Sequence, residues 1–478
     1  MPFRTEIDLV DCEVDGRIPD DLNGAFYRVG PDFQYPSKFP LNIPFDGEGH
    51  VSMFRFSAGR VDLKSRYVRT QRFNVQRSAG RALFGMYRNP FTDDAGLENV
   101  SRGTANTTVL YHAGRLLALK EDSPPVAMDA LTLETTDDYV TFGGRLTSRT
   151  FTAHPKIDPE TGEMIAFGYE AKGLGSDDVA IITIDRAGHL VRESWIKVPY
   201  VGMLHDFAVT QTHIAFLAIP MAVNLAQMQA GGVHFAWDST LPSWFGVMRR
   251  HGDGSDLRWY KGPERCATHV MGAWSDGDMC YVDMDMAKKN QFPFFPNLHG
   301  EAFDPVGAAG VVTRLSVDLS KTSDSYDMQV LYPDNGVLPR QDDRYQTIPY
   351  RYGFMPTVDL SVPPHPAVAG RPFRPNNCYT KFDHATGRTQ TYRAGNSVAL
   401  QECCFAPRRP DAPEGDGYIL GMAEQMLECN RSDLLILDAA EPEAGPIATV
   451  RLPFRIFGQV HGWWVSAEAL PGAAMPVH

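Results

Sequence analysis

The chain has 478 residues, 43% of them hydrophobic and 22% charged, with a formal net charge of −13 at pH 7. That acidity leaves no basic stripe to displace the counterions of a nucleic acid, and it disfavours charge-driven binding to an anionic membrane. Seven cysteines (Cys12, Cys266, Cys280, Cys378, Cys403, Cys404 and Cys429) form no CxxC pair and leave an odd count, which suits reduced thiols in a cytoplasm better than a disulfide framework.

The opening "MPFRTEIDLVDCEVDG" gains acidic residues at once and has no apolar core, so no secretory signal is expected. From there, short β-branched and aromatic runs recur between turn signals: "HVSMFRFSAGRVDLKSRYV", "TTVLYHAGRLLAL", "VAIITIDRAGHLVRESWI", "VVTRLSVDL", "CYTKFDHATGRTQTYRA" and "SDLLILDA". Several read as hairpins whose turns "SAGR", "HAGR", "RAGH" and "HATGR" supply a glycine for positive φ. In "VGMLHDFAVTQTHIAFLAIP", Phe207 and Val209, then Ile214 and Phe216, alternate with small or polar residues, as a half-buried strand pair should. Only "DDAGLENVSR" and "VNLAQMQAG" suggest short helices. The most apolar window, "IAFLAIPMAVNLAQM", is broken by Pro220 and Asn224 and is too short to span a bilayer. Evenly spread hairpins without a linker predict one all-β unit over residues 1–478, either a propeller or stacked sandwiches. Seven blades of roughly 40–50 residues would leave a surplus for long loops on one face, where a substrate site belongs.

Among fourteen histidines, His112, His189 and His384 fall in hairpin turns, His251 in a polar segment, and His478 at the last position. Four others adjoin apolar strand-like sequence: "FTAHPKID" (His154), "GMLHDFAV" (His205), "CATHVMGAW" (His269) and "GQVHGWWV" (His461). They lie too far apart for a local metal motif such as HExxH. A shared site would have to be assembled by tertiary structure, as where inner strands converge on a propeller axis.

The segments "NGAFYRVGPDFQYP", "FDGEGHVSMFRF", "TAHPKIDPETGEMIAFGYE", "MLHDFAVT", "QVHGWWV" and "DGYILGM", in that order, resemble the signatures of the carotenoid cleavage oxygenases, non-haem iron enzymes that split alkenes into two carbonyls. The resemblance covers nearly the whole chain. It implies an all-β, seven-bladed propeller whose long loops and short helices form a dome over an axial iron(II). The matching segments make His154, His205, His269 and His461 the ligands, with Asp206 merely following one of them. Imidazole suits Fe(2+), and four protein ligands leave two of six positions for dioxygen or water. The family holds its imidazole N–H groups with glutamates; "LKEDSPP" and "QECCFAP" nominate Glu121 and Glu402. Two departures stand out. Val337 occupies a place where relatives carry a glutamate, and Ser275 one where an acid is usual, so that one imidazole would be oriented by water or a carbonyl.

Within the superfamily, "FGMYRNPFTDD" and "LLALKED" resemble most the lignostilbene dioxygenases, which cut 4-hydroxystilbenes. That resemblance implies that Tyr87 and Lys120 hold the substrate's phenol oxygen and that Phe45 packs on its ring. A free phenol has a pKa of about 10; a nearby ammonium and a hydrogen-bonding tyrosine favour the phenolate, whose charge delocalises to the double bond and activates it toward dioxygen. Two aromatic aldehydes would follow, by a dioxetane or an epoxide-like route. One alternative is a carotenoid or apocarotenoid cleaver of the same fold, with the "IAFLAIPMAVNLAQM" window as a membrane-dipping patch. Another is a propeller that binds ligands without catalysis. The expected partners are a small phenolic stilbene and dioxygen, with neither nucleic acid nor a membrane anchor; a homodimer is compatible with the sequence.

Overall fold

The computed structural model of the chain describes residues 2–40, 42–366, 374–428, 431–456 and 458–472; Cys429 and His478 lie outside them. Seven antiparallel sheets of four or five strands follow one another along the chain as meanders, and an eighth, two-stranded sheet of Met221–Val223 and Phe235–Trp237 is inserted within the fourth. The first blade is built on Gly24–Asp32, Glu48–Ser57 and Arg60–Tyr67; the second starts at Thr108–His112, the third at Lys156–Ile157 and the fourth at Phe207–Val209. The fifth begins with Cys266–Asp276, the sixth with Arg340–Gln341 and the seventh with Val398–Pro407. The opening strands of the second to seventh blades are sheet edges, and those of the fourth to seventh touch in succession. They line the axis of a seven-bladed propeller.

Both ends of the chain close the ring. His461–Ser466 pairs with Gly24–Asp32, placing His461 opposite Val29, and Glu13–Gly16 pairs with Pro446–Arg451 in the seventh blade. The first blade is thus completed by a strand from the chain's end and the seventh by one from its start, which ties the two blades together through the chain.

The alternating runs form the strands that their period predicts. In the fourth blade Phe207 pairs with Phe216 and Val209 with Ile214, so the four apolar residues share the buried face. Gly114 and Gly188 occupy hairpin turns at φ 78 and 85, a region that costs a side chain but not glycine.

The helices follow the sequence less closely. Leu225–Gln229 is helical, capped by the Asn224 side chain, within the predicted "VNLAQMQAG". "DDAGLENVSR" instead forms turns, and a nine-residue helix lies upstream at Gln71–Ala79. Thr70 caps that helix by accepting from Phe73 N, and Gly80 ends it in the left-handed conformation. Its buried face carries Arg72 and Gln76 beside Phe73, so it has no apolar period to read.

The connections 33–40 with 42–47, 68–107, 219–243 and 288–310 carry the surplus length. They pack together: Ile43, Met86, Tyr87, Val233, Phe235, Trp237 and Phe295 share one hydrophobic core with the third, fourth and fifth blades. The window "IAFLAIPMAVNLAQM" belongs largely to this core rather than to a membrane-dipping patch. Ile214, Phe216, Leu217, Ile219 and Met221 are buried, and of its large apolar side chains Leu225 is exposed. No helix among the described residues is long and apolar enough to cross a membrane. None of the six described cysteines forms a disulfide.

Candidate metal centre and aromatic cleft

The propeller axis brings together the four histidines that the sequence leaves far apart. One nitrogen from each of His154, His205, His269 and His461 lies within 4.8 Å of the others. His154 and His205 immediately precede the inner strands of the third and fourth blades, whereas His461 opens the strand that completes the first. His269 lies inside its strand, and there the pairing slips between Ala267 and Val270 and again before Gly272. A bulge of this kind re-aims a side chain that regular alternation would fix to one face.

The bulge frees main-chain N–H groups, and buried carboxylates take them up. His269 N donates to Asp285 Oδ1, and Val270 N donates to Asp206 Oδ2 at 2.8 Å. Asp206 also receives Phe207 N at 2.7 Å and pairs with Lys156 Nζ at 2.7 Å. It is therefore more than the neighbour of His205, because it ties together the segments that carry His154, His205 and His269. A second bulge, between Leu400 and Cys403, presents Glu402 in the same manner; the fully buried Arg28 braces it by donating to the Glu402 and Gln459 carbonyls.

Two imidazoles are oriented by glutamates. His205 Nδ1 donates to Glu121 Oε1 at 2.5 Å, and His461 Nδ1 donates to Glu402 Oε1 at 2.7 Å. Burial pushes both carboxyls up, but their contacts prevail: the His205 hydrogen bond, with Lys120 and Arg88 close by, brings Glu121 down to about 2, and the His461 hydrogen bond, with Arg340 and Arg28 close by, brings Glu402 down to about 2. With Nδ1 donating, each Nε2 presents its lone pair to the axis. His205 Nε2 then lies 3.3 Å from His154 Nε2 and 3.1 Å from His269 Nε2, and the buried His461 Nε2 has no hydrogen-bond partner. Metal–imidazole bonds of about 2.1 Å at right angles place neighbouring donors about 3 Å apart. The donor set fits a first-row divalent metal.

The departures noted in the sequence have structural counterparts. His269 Nδ1 is buried without a hydrogen-bond partner among the described residues, so neither a carboxylate nor a carbonyl of theirs orients that imidazole. Ser275 sits near the far end of the His269 strand and bonds to Thr210 and Thr212 in the neighbouring blade.

Beside the metal centre, Lys120 Nζ lies 3.4 Å from Tyr87 Oη and 4.9 Å from the centre of its ring, and both residues are buried. Burial raises the Tyr87 pKa, keeping its hydroxyl protonated. Burial lowers that of Lys120, but Tyr87, Asp122 and Glu121 outweigh it and hold the ammonium charged. Lys120 and Glu121 are consecutive, so one dipeptide serves both the tyrosine and the His205 imidazole. Phe45 is half-buried and meets Phe294 edge-on at 5.5 Å.

The segment "QFPFFPN", residues 291–297, lies outside every motif singled out above. Phe292 stands edge-on to His205 at 6.5 Å and contacts Phe294 and Phe295 at 5.8 and 5.7 Å; Phe295 reaches Tyr87 at 5.8 Å. A row of rings thus joins the metal centre to both Tyr87 and Phe45. Phe295 is buried and anchors the segment, a gain of about 1.5–3 kcal/mol, while Phe292 and Phe294 are half-buried. Three phenylalanines interleaved with two prolines in a non-strand segment were the available signal.

The glutamate contacts carry a prediction. Glu402→Gln is expected to leave the propeller folded and to weaken metal binding by roughly 10–100-fold, read by chelator competition. Wild-type affinity in that variant would show that Glu402 does not orient His461.

A seven-bladed propeller with four imidazoles converging on its axis defines a class of metal-binding proteins in which the site is built from strand ends. The chain matches the model of the retinal pigment epithelial membrane protein (RPE65) family over residues 1–466, and it belongs to this family of carotenoid cleavage oxygenases. It is 43% identical to lignostilbene-alpha,beta-dioxygenase isozyme III of Sphingomonas paucimobilis, covering 99% of this chain and 97% of that protein. Isoeugenol monooxygenase of Pseudomonas nitroreducens is 41% identical over 97% of this chain and 96% of that protein. The crystal structure of Pseudomonas brassicacearum lignostilbene dioxygenase superposes with a TM-score of 0.94 at 41% identity, covering 97% of this chain and 96% of that one.

Proposed function

We propose that the protein is an iron(II) oxygenase that cleaves the central double bond of 4-hydroxystilbenes. One dioxygen adds across one alkene, giving two aromatic aldehydes. The observation that carries this reading is the buried Tyr87–Lys120 pair at the end of a row of rings that starts at His205. In the proposal, His154, His205, His269 and His461 hold the iron, and Glu121 and Glu402 orient two of the imidazoles. Iron bound there supplies the binding and activation of dioxygen.

The protein's own groups do the rest. Tyr87 donates its hydroxyl proton in a hydrogen bond to the substrate's phenol oxygen, and the Lys120 ammonium stabilises the phenolate there. A phenol with pKa of about 10 ionises more readily when an ammonium replaces water beside it. Phe45 and Phe292 flank the ring and the alkene, keep water out and hold the double bond beside the metal centre. A propenylphenol offers the same oxygen and the same conjugated alkene, so the clamp also admits the kind of substrate named in the isoeugenol monooxygenase relative.

Incubation of the iron-loaded protein under air with 4-hydroxystilbene, isoeugenol and an apocarotenal separates the readings. The expected result is two aldehydes per hydroxystilbene with one dioxygen consumed, and an unchanged apocarotenal. Rapid cleavage of the apocarotenal with no turnover of either phenol would overturn the proposal.

A further inference from the structure

Glu121 engages His205 through one oxygen, and its other oxygen enters a buried network that the metal centre does not by itself require. Tyr169 Oη donates to Glu121 Oε2 at 2.6 Å. The same hydroxyl accepts from Arg88 Nη1, while Arg88 Nη2 donates to Glu170 Oε2 at 3.0 Å. Glu170 Oε2 also receives His234 Nε2 at 2.7 Å, and its Oε1 receives Gly175 N at 2.7 Å. The other His234 ring nitrogen lies 3.2 Å from the Arg88 carbonyl, closing a loop back to the residue next to Tyr87. Arg88, Glu121, Tyr169, Glu170 and His234 are all at least nine-tenths buried.

Two features mark this network as built for position. Arg88 has φ 50, a left-handed conformation that costs a non-glycine residue roughly 1–2 kcal/mol and persists only where the surroundings enforce it. A carboxylate held at one oxygen can also swing about its last side-chain torsion, which is broad. With Tyr169 on Oε2, both oxygens of Glu121 are fixed, so its plane, and that of the His205 imidazole, is set.

We propose that Tyr169 and Arg88, locked by Glu170 and His234, are positioning residues that act through Glu121 to set the His205 imidazole toward the metal. The inference rests on the metal site of the proposed function and deepens it. It also assigns roles to the tyrosine and glutamate of "AFGYE" and to the arginine of "GMYRNP".

The test is Tyr169→Phe, which keeps the ring and removes only the donor to Glu121, with Glu170→Gln as a second variant that loosens Arg88 from the far end. Fe(II) dissociation constants are measured under argon by chelator competition, and the visible bands of the Co(II)-loaded protein report ligand geometry. Outer partners of metal ligands change affinity by 10–100-fold; one bond further out, Tyr169→Phe should weaken Fe(II) by roughly tenfold and shift the Co(II) bands. Glu170→Gln should move both readouts in the same direction. Tyr260→Phe, which removes another buried hydroxyl, one without a partner, should change neither. Wild-type Fe(II) affinity and Co(II) spectra in both network variants would overturn the inference while leaving the metal site standing. A wild-type chain that binds no Fe(II) would overturn the underlying reading and the inference with it.

Discussion

Replacing His154, His205, His269 or His461 with alanine should abolish turnover and lower Fe(II) affinity by more than about a hundredfold, the upper end of what loss of an outer partner costs. The four nitrogens lie within 4.8 Å of one another, and each variant leaves three. The controls are His112→Ala and His189→Ala. His112 Nε2 donates to the Gly162 carbonyl at 3.0 Å and His189 pairs with Asp185 at the surface; neither is in the cluster. His112→Ala should cost about 1 kcal/mol of stability and leave iron content intact. Full iron loading in two or more of the four cluster variants would remove the assignment. Iron content by atomic absorption and denaturant midpoints distinguish a lost ligand from a misfolded chain.

The strands were legible because their cause is local. Phe207, Val209, Ile214 and Phe216 alternate with a period of two, and glycine at turns such as Gly114 permits the reversal. The number of blades was not, since the same hairpins build sandwiches or propellers until the two chain ends join across more than four hundred residues. Only the resemblance of ordered motifs carried that information. The helix at Gln71–Ala79 escaped because it buries Arg72 and Gln76, whose partners are Asp46 in the preceding connection and Glu48 at the start of a first-blade strand; "DDAGLENVSR" has acids and turn formers but no apolar face to dock. At the site, the four histidines could be named from their motifs. Asp206 could not, because its role follows from a bulge at His269 that no spacing records. Tyr169 and Arg88 sat in quoted motifs, yet their function depends on a contact to Glu121 from another blade.

An enzyme that activates a phenol should cleave 4-hydroxystilbene and fail on its 4-O-methyl ether, with kcat/KM lower by at least about a hundredfold. The ether has nearly the same shape and apolar surface, so it should still enter the row of rings from Phe45 to Phe292. It cannot ionise, so Lys120 has no developing charge to stabilise. A preorganised donor or cation lost from a dry site costs roughly 10²–10³ in rate, and Lys120→Ala should fall in that range. Its effect should appear in kcat more than in KM, because the charge on oxygen is greatest as the alkene reacts. Tyr87→Phe should act in the same direction and more mildly, about tenfold, since Lys120 remains. Neither change should alter iron content: Lys120 reaches Tyr87 at 3.4 Å while its neighbour Glu121 keeps His205 at 2.5 Å. Single-turnover rates with both substrates, measured on each variant, decide the matter. Equal rates for phenol and ether in the wild-type protein would eliminate the phenolate route, and with it the reason that this propeller buries a lysine against a tyrosine beside its metal centre.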